Sequence, residues 1–303
     1  MDPELLWQHA AHREAIYGLA CSYDGRLLAS CGADGTVRVL RSTSRVGTFK
    51  HPDRAVFHDL AFVPTAELLL AVACSDGYVW LWDADQERVY GQVRHQRGEV
   101  LCIAWSPTGG TLAWGASDGS VCIWDSEARK LRFQLSHRLP VRGIAFHPIR
   151  PWLASASEDG KLCLWELTRG VVLATLVSGT AWVSCVTISP NGSWLAAGLE
   201  GGEVVLINLE NRQVSYLRGG HTAEVQRAAF SPQSRLCATS STDGAVAFWS
   251  VERQKRMGVP ISHPAAVGAL VFLPSPVPGE APLVTGDDAG HVRCWSLARE
   301  WLL

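Results

Sequence analysis

"ASDGSVCIWD", residues 116–125, holds an Asp-Gly turn, a short apolar strand and a Trp-Asp close. Taken alone, Asp118 has three readings: acid catalyst, metal ligand or scaffold. The phrase returns along the chain, and its return decides the fold. The turn glycine recurs at Gly35, Gly77, Gly119, Gly160, Gly202, Gly244 and Gly290, in steps of 42, 42, 41, 42, 42 and 46 residues. Five residues after each stands a large apolar residue: Leu40, Trp82, Trp124, Trp165, Ile207, Trp249 and Trp295. A fixed period of this length outranks local propensity and marks a repeat architecture.

Each unit reads as four short strands. In the third unit the alternating and apolar runs predict strands over Val100–Trp105, Thr111–Gly115, Val121–Trp124 and Leu131–Leu135. Turn residues at short, regular intervals support strands over helices. Such a sheet cannot bury both faces alone, and radial stacking solves that while leaving short edges. The units resemble WD repeats, with "GH" before the first strand, "SP" after it, "SxDG" in the turn and "WD" at the end. "GGHTAEVQRAAFSPQSRLCATSSTDGAVAFW", residues 219–249, and "SHRLPVRGIAFHPIRPWLASASEDGKLCLWE", residues 136–166, carry the resemblance most fully. It implies an all-β, seven-bladed β-propeller of four-stranded antiparallel blades. The expected blades run over 12–50, 51–94, 95–136, 137–177, 178–220, 221–262 and 263–303 plus 4–11, one propeller over 1–303 with no second domain. The sequence stops just past a third strand, so "ELLWQHAAH", residues 4–12, is expected to supply the fourth. Leu5–Trp7 would pair with Val292–Trp295 and remove the last open edge.

Bulk composition narrows the function classes. Apolar residues make up 47% and charged residues 18%, enough for a sizeable core. The formal net charge of −2 offers no global attraction to nucleic acid or to an anionic membrane. The basic clusters 128–132 and 252–256 fall in the third and sixth units, apart on the ring, where they form no continuous track. No apolar run is long enough to span a bilayer, and the start does not read as a secretory signal. The nine cysteines include no Cys-x-x-Cys and fall in predicted strands, as reduced, buried residues of an intracellular protein, cytoplasmic or nuclear.

The recurring polar groups answer the question about Asp118. The fourth unit has His137, Ser155, Asp159 and Trp165; the sixth has His221, Thr239, Asp243 and Trp249. His, Ser and Asp together look like a hydrolase triad, but a catalytic set is needed once and these recur around the chain. In WD repeats the same positions form a structural hydrogen-bond network, and the resemblance assigns Asp118 to it. The degenerate copies agree: Gly201 and Ile207 stand in unit five, Ala289 in unit seven and Trp114 in unit three. No phosphate loop, cysteine nucleophile setting or His-Glu-x-x-His occurs. No catalytic residue, metal or cofactor is assigned.

A rigid recognition platform is the function expected. By the resemblance, the residue after the first apolar position of each first strand rings the top of the channel: Tyr17, His58, Leu101, Arg142, Ser184, Gln226 and Gly268. Trp182 precedes that ring by one step, and Glu158, Glu200 and Asp288 lie in neighbouring turns. Tyr17, Arg142 and Trp182 are of the residue types that dominate binding hot spots. These residues are the expected partner-binding face for a protein or peptide, with the chain a monomeric propeller inside a hetero-complex. Two alternatives stay in the binding class. A ubiquitin-ligase substrate receptor would favour Trp-Asp-x-Arg after the third strand, whereas this chain has "WDAD", "WDSE" and "WELT". A regulatory or sensor module of a longer signalling protein is the other. The four-proline loop 273–283 is expected to project from the bottom face.

Overall fold

The computed structural model describes residues 2–41, 44–65, 67–274, 280–297 and 299–302. Residues 275–279, five of the eleven in the proline loop, lie outside the described residues, and with them the expected projection of that loop from the bottom face. Among those described, the chain forms seven four-stranded antiparallel sheets, and the only helix is the single turn Arg299–Leu302. The innermost strands are β2 (Ile16–Cys21), β6 (Phe57–Phe62), β10 (Val100–Trp105), β14 (Val141–Phe146), β18 (Val183–Ile188), β22 (Val225–Phe230) and β26 (Val267–Phe272). Each touches the next around a ring, and β26 meets β2 to close it. In the third unit the other strands are Thr111–Ala116, Ser120–Asp125 and Lys130–Ser136, each within a residue of its predicted bounds.

Burial explains the order of strands within a blade. The second strands, such as Leu112–Ala116 within β11 (Thr111–Ala116), are buried along their length. They lie between neighbouring blades and read as continuous apolar runs. The outermost strands, such as β13 (Lys130–Ser136), are largely exposed and bury only alternate residues near their ends. Closure follows expectation. Strand β1 (Glu4–Ala10) pairs with β28 (His291–Ser296), placing Leu5 opposite Trp295 and Trp7 opposite Cys294. Sheet order in this blade is β1, β28, β27 (Leu283–Asp287), β26.

The period-setting glycine has a steric cause. Gly160 sits at φ 75°, and a Cβ there would lie 2.1 Å from the Gly179 carbonyl oxygen. Only glycine accommodates both the left-handed backbone and that close approach.

Candidate functional site

The His-Ser-Asp sets resolve first, because their burial decides between catalysis and scaffold. In the fourth blade the Trp165 indole N–H donates to Ser155 Oγ at 2.7 Å, and Ser155 Oγ lies 2.7 Å from His137 Nε2. His137 Nδ1 lies 3.2 Å from both Asp159 oxygens. The consistent assignment is a relay: indole to hydroxyl, hydroxyl to imidazole Nε2, Nδ1–H to carboxylate. Burial holds the His137 pKa below the ordinary histidine value, in keeping with a neutral ring. The sixth blade repeats it, with Trp249 and His221 both on Thr239 Oγ1 at 2.8 and 2.7 Å. His221 Nδ1 faces Asp243 at 3.4 Å. Ser155 and Thr239 are both 0% exposed. A hydroxyl that no substrate reaches is no nucleophile; in the fourth blade the whole set is hydrogen-bonded internally, and in the sixth the hydroxyl, the indole and His221 Nε2 are.

Where a member is lost, the blade improvises. Trp114 replaces the serine in the third blade, and its indole faces His95 Nδ1 at 3.4 Å while His95 Nε2 turns to Asp118 at 3.3 Å. Burial works against the Asp118 charge, but the Ser120 backbone N–H, the Ser120 side chain and His95 hold its carboxyl below the usual range. Asp118 is a turn-holding residue. In the seventh blade Ala289 does occupy the turn position, yet the network is not lost. Asp287, two residues earlier and fully buried, pairs with Arg293 and lies 3.6 Å from His263 Nδ1. Trp295 and His263 meet on Thr285 Oγ1 at 3.0 and 3.3 Å.

In the second blade His51, Cys74 and Asp76 bring possible ligand atoms within 4.8 Å of one another. The hydrogen bonds do not fit a metal. His51 Nδ1 accepts the Asp53 and Ala55 N–H groups, so the proton sits on Nε2, which donates to Asp76 at 2.8 Å. Burial pushes the Cys74 thiol far above its ordinary value.

The channel mouth has a different construction. In all seven inner strands the pairing register skips one residue, between Ile16 and Gly18, Phe57 and Asp59, Val100 and Cys102, Val141 and Gly143, Val183 and Cys185, Val225 and Arg227, and Val267 and Ala269. The skipped residues are those singled out from the sequence: Tyr17, His58, Leu101, Arg142, Ser184, Gln226 and Gly268. A bulge leaves its extra residue unpaired and re-aims its side chain. All seven line one cavity of about 340 Å³, with Val56, Glu224 and Arg227. Trp182 is not among its lining residues; it is 38% exposed, and its carbonyl accepts the Glu200 N–H at 3.1 Å.

Side-chain pairs organise the mouth. The Tyr17 and His58 rings stack with centroids 6.2 Å apart. His58 Nε2 lies 3.1 Å from Glu99, and Arg142 Nε donates to Glu158 at 2.6 Å. Burial lowers the His58 pKa; Glu99 opposes this, and Arg142 and Arg227 add to it. Burial also raises the Tyr17 pKa, with Asp288 and Glu14 adding to it. The Ser184 hydroxyl is buried with no partner among the described residues.

Two residues missed from the sequence cross the channel. Arg227 of the sixth blade donates to the Tyr17 carbonyl at 3.0 Å and lies 3.8 Å from Asp59 of the second blade. Asp59 accepts the Ile103 N–H at 3.1 Å. Burial raises its pKa, and Arg227 pulls it back. The signal was in the repeat. The third position of each inner strand is Gly18, Asp59, Cys102, Gly143, Cys185, Arg227 and Ala269, two opposite charges among five small residues.

Residues 56–302 match the family model described as the IFT122 first beta-propeller, and residues 3–40 match the WD domain, G-beta repeat. The chain is similar to the WD repeat-containing protein VIP3 of Arabidopsis thaliana, 29% identical over 164 residues that cover 49% of this chain and 51% of that protein. It is also similar to the Ubiquitin homeostasis protein lub1 of Schizosaccharomyces pombe, 28% identical over 88 residues, 29% of this chain and 12% of that one. The chain thus spans about half the length of the plant relative and far less of the yeast one. A family match over most of the chain, on a closed ring of seven four-stranded blades, means that this protein belongs to the WD-repeat β-propeller family.

Proposed function

We propose that the protein is a non-catalytic interaction scaffold whose partner, a protein or peptide, docks on the channel mouth as part of a larger complex. Propellers of this family typically bind protein partners. The observation that carries the reading is the ring of bulges. Seven blades each push one unpaired residue into the same cavity, where Tyr17, His58, Leu101, Arg142, Ser184 and Gln226 present varied chemistry from a rigid base. Trp182 extends the surface outward as an exposed aromatic anchor.

The test is a paired affinity capture from native lysate with mass-spectrometric readout. One bait is wild type; the other carries Tyr17→Ala, Arg142→Ala and Trp182→Ala and is checked to melt normally. A partner lost from the variant alone is the expected result. Unchanged partners overturn the placement at the mouth. The ubiquitin link in one relative's name rests on a match over 12% of that protein. The third-strand ends here also lack the arginine of the ligase-receptor pattern, so the general scaffold reading is preferred.

A further inference from the structure

The seams between blades are filled unequally. In β13 (Lys130–Ser136), Phe133 lies opposite Ile123 and packs into the core shared with Trp165 and Leu153 of the fourth blade. The same register position in β9 (Arg88–Arg94) is Gly91, opposite Leu81. A Cβ on Gly91 would meet nothing within 4 Å. Gly47, the counterpart in the first blade, is covered instead by Trp82, 3.0 Å from where its Cβ would stand. The seam between blades two and three therefore keeps a cavity of about 280 Å³, walled by Leu81, Val93, Leu112, Trp105 and Trp124. It lies at the strand ends opposite the channel mouth.

Two features say what fits it. The entrance is framed by Tyr90, 52% exposed, with the Arg129 guanidinium 5.6 Å from its ring centroid and donating to its hydroxyl at 3.3 Å. A groove of about 530 Å³ adjoins the cavity and shares Glu67, Leu69 and Tyr90 with it. Together the two carry the carboxylates of Glu67, Asp83, Asp85 and Glu127 against the guanidiniums of Arg88 and Arg129. The rim is therefore acidic, with Arg129 already engaged on Tyr90.

We propose that this cleft is a second docking site, on the side away from the channel mouth, for an extended peptide segment of a protein partner. The segment inserts one large apolar side chain beside Trp105 and Trp124 and carries basic residues next to the anchor. Aromatic walls give the anchor its contact area, and the acidic rim selects its neighbours by charge.

The probe is a capped tripeptide amide with phenylalanine between two lysines, titrated into the whole chain labelled with ¹⁵N on its indoles. The Trp105 indole resonance is assigned by its loss in Trp105→Phe. It is expected to shift on titration, and a companion peptide with glutamates in place of the lysines is expected to bind about threefold to tenfold more weakly. Gly91→Phe fills the cleft as Phe133 does in the next blade, melts no lower than wild type, and weakens binding at least about tenfold. The exposed pair Glu67→Lys and Glu127→Lys gives a second variant that leaves the core intact and reverses the preference between peptides. Variants at Tyr17, Arg142 and Trp182 leave the titration unchanged, which separates this site from the channel mouth. An indole signal that stays put up to about 10 mM peptide, or equal binding by Gly91→Phe, overturns the proposal.

Discussion

Blades four and five share a backbone plan and almost none of its polar fittings. Blade four has His137, Ser155, Asp159 and Trp165; at the same positions blade five has Gly179, Ala197, Gly201 and Ile207. Both fold. Ala197, Val205 and Ile207 are fully buried and join the same core as Ala154, Leu162 and Leu164 of the neighbour. The difference shows at the turn end. In blade four, β16 (Lys161–Glu166) and β17 (Val171–Ser178) stay paired out to Lys161 and Ser178. In blade five, β20 (Val204–Asn208) and β21 (Val214–Leu217) pair only from Val204 and Leu217. Apolar burial makes a blade; in blade four the relay carboxylate adds the bonds that hold its turn.

The largest effect tests the burial half of that statement. Trp165→Ala is expected to cost about 3–5 kcal/mol, and Ile207→Ala about 2–5, as shifts in the urea midpoint. Comparable losses mean that packing, not the relay, supports both blades. An unchanged midpoint for Trp165→Ala breaks the comparison, since it would place that indole outside the core.

The relay half is tested at the turn. Asp159→Ala removes the acceptor for the Arg138 and Lys161 N–H groups and the counter-group of His137. The expected cost is about 1–3 kcal/mol. Gly201→Ala, at the matching place in blade five, meets nothing within 4 Å and is expected to stay within about 0.5 kcal/mol of wild type. Equal effects at the two positions would make the relay ornamental.

How far the sequence foretold this depends on whether a feature repeats. The strand bounds of the third unit follow from a pattern seen seven times, the pairing of Leu5 with Trp295 from a fourth-strand pattern ahead of the first unit, and the positions at the channel mouth from the family resemblance. What escaped depends on single positions and on reach. Asp287 takes over for Ala289 because Arg293 and His263 converge on it across neighbouring strands, which the turn motif does not encode. Arg227 meets Asp59 only because a long side chain crosses a channel lined by glycine, alanine and cysteine. The open seam at Gly91 is equally silent, since a missing side chain matters only when no neighbour moves in.

Acidity sharpens the comparison further. The Asp159 carboxyl is held below its unfolded value: burial opposes this, but the Arg138 N–H, His137 and the Lys161 N–H outweigh it. Its stabilisation is full above the unfolded carboxylate range and is lost as pH falls through the folded value. Burial leaves His137 below its unfolded value as well. As pH drops below about 6.5 the unfolded chain takes up a proton that the folded imidazole refuses, and stability falls. His137→Asn is expected to reduce the loss of urea midpoint between about pH 7 and 5. The remaining slope belongs to other histidines whose pKa burial lowers, half-buried His58 and buried His147 and His221 among them. Blade five has nothing at Gly179 to titrate.

The smallest effect is local and isolates the turn from the blade. Lys161 N–H donates to Asp159 Oδ1 at 3.0 Å, an acceptor that Gly201 cannot offer to Glu203 in blade five. Both turns keep the backbone bond of their glycine, Gly160 to Ser157 at 3.2 Å and Gly202 to Leu199 at 3.1 Å. Amide exchange at the glycines is therefore expected to be similar, whereas Lys161 exchanges more slowly than Glu203. Asp159→Ala should bring Lys161 to the rate of Glu203 while leaving the amides of β18 (Val183–Ile188) in the next blade unchanged. Slowing confined to Lys161 fits a relay that secures one turn. If the substitution speeds exchange through β18 as well, the relay holds blades to one another, and blade five must be supported by its neighbours.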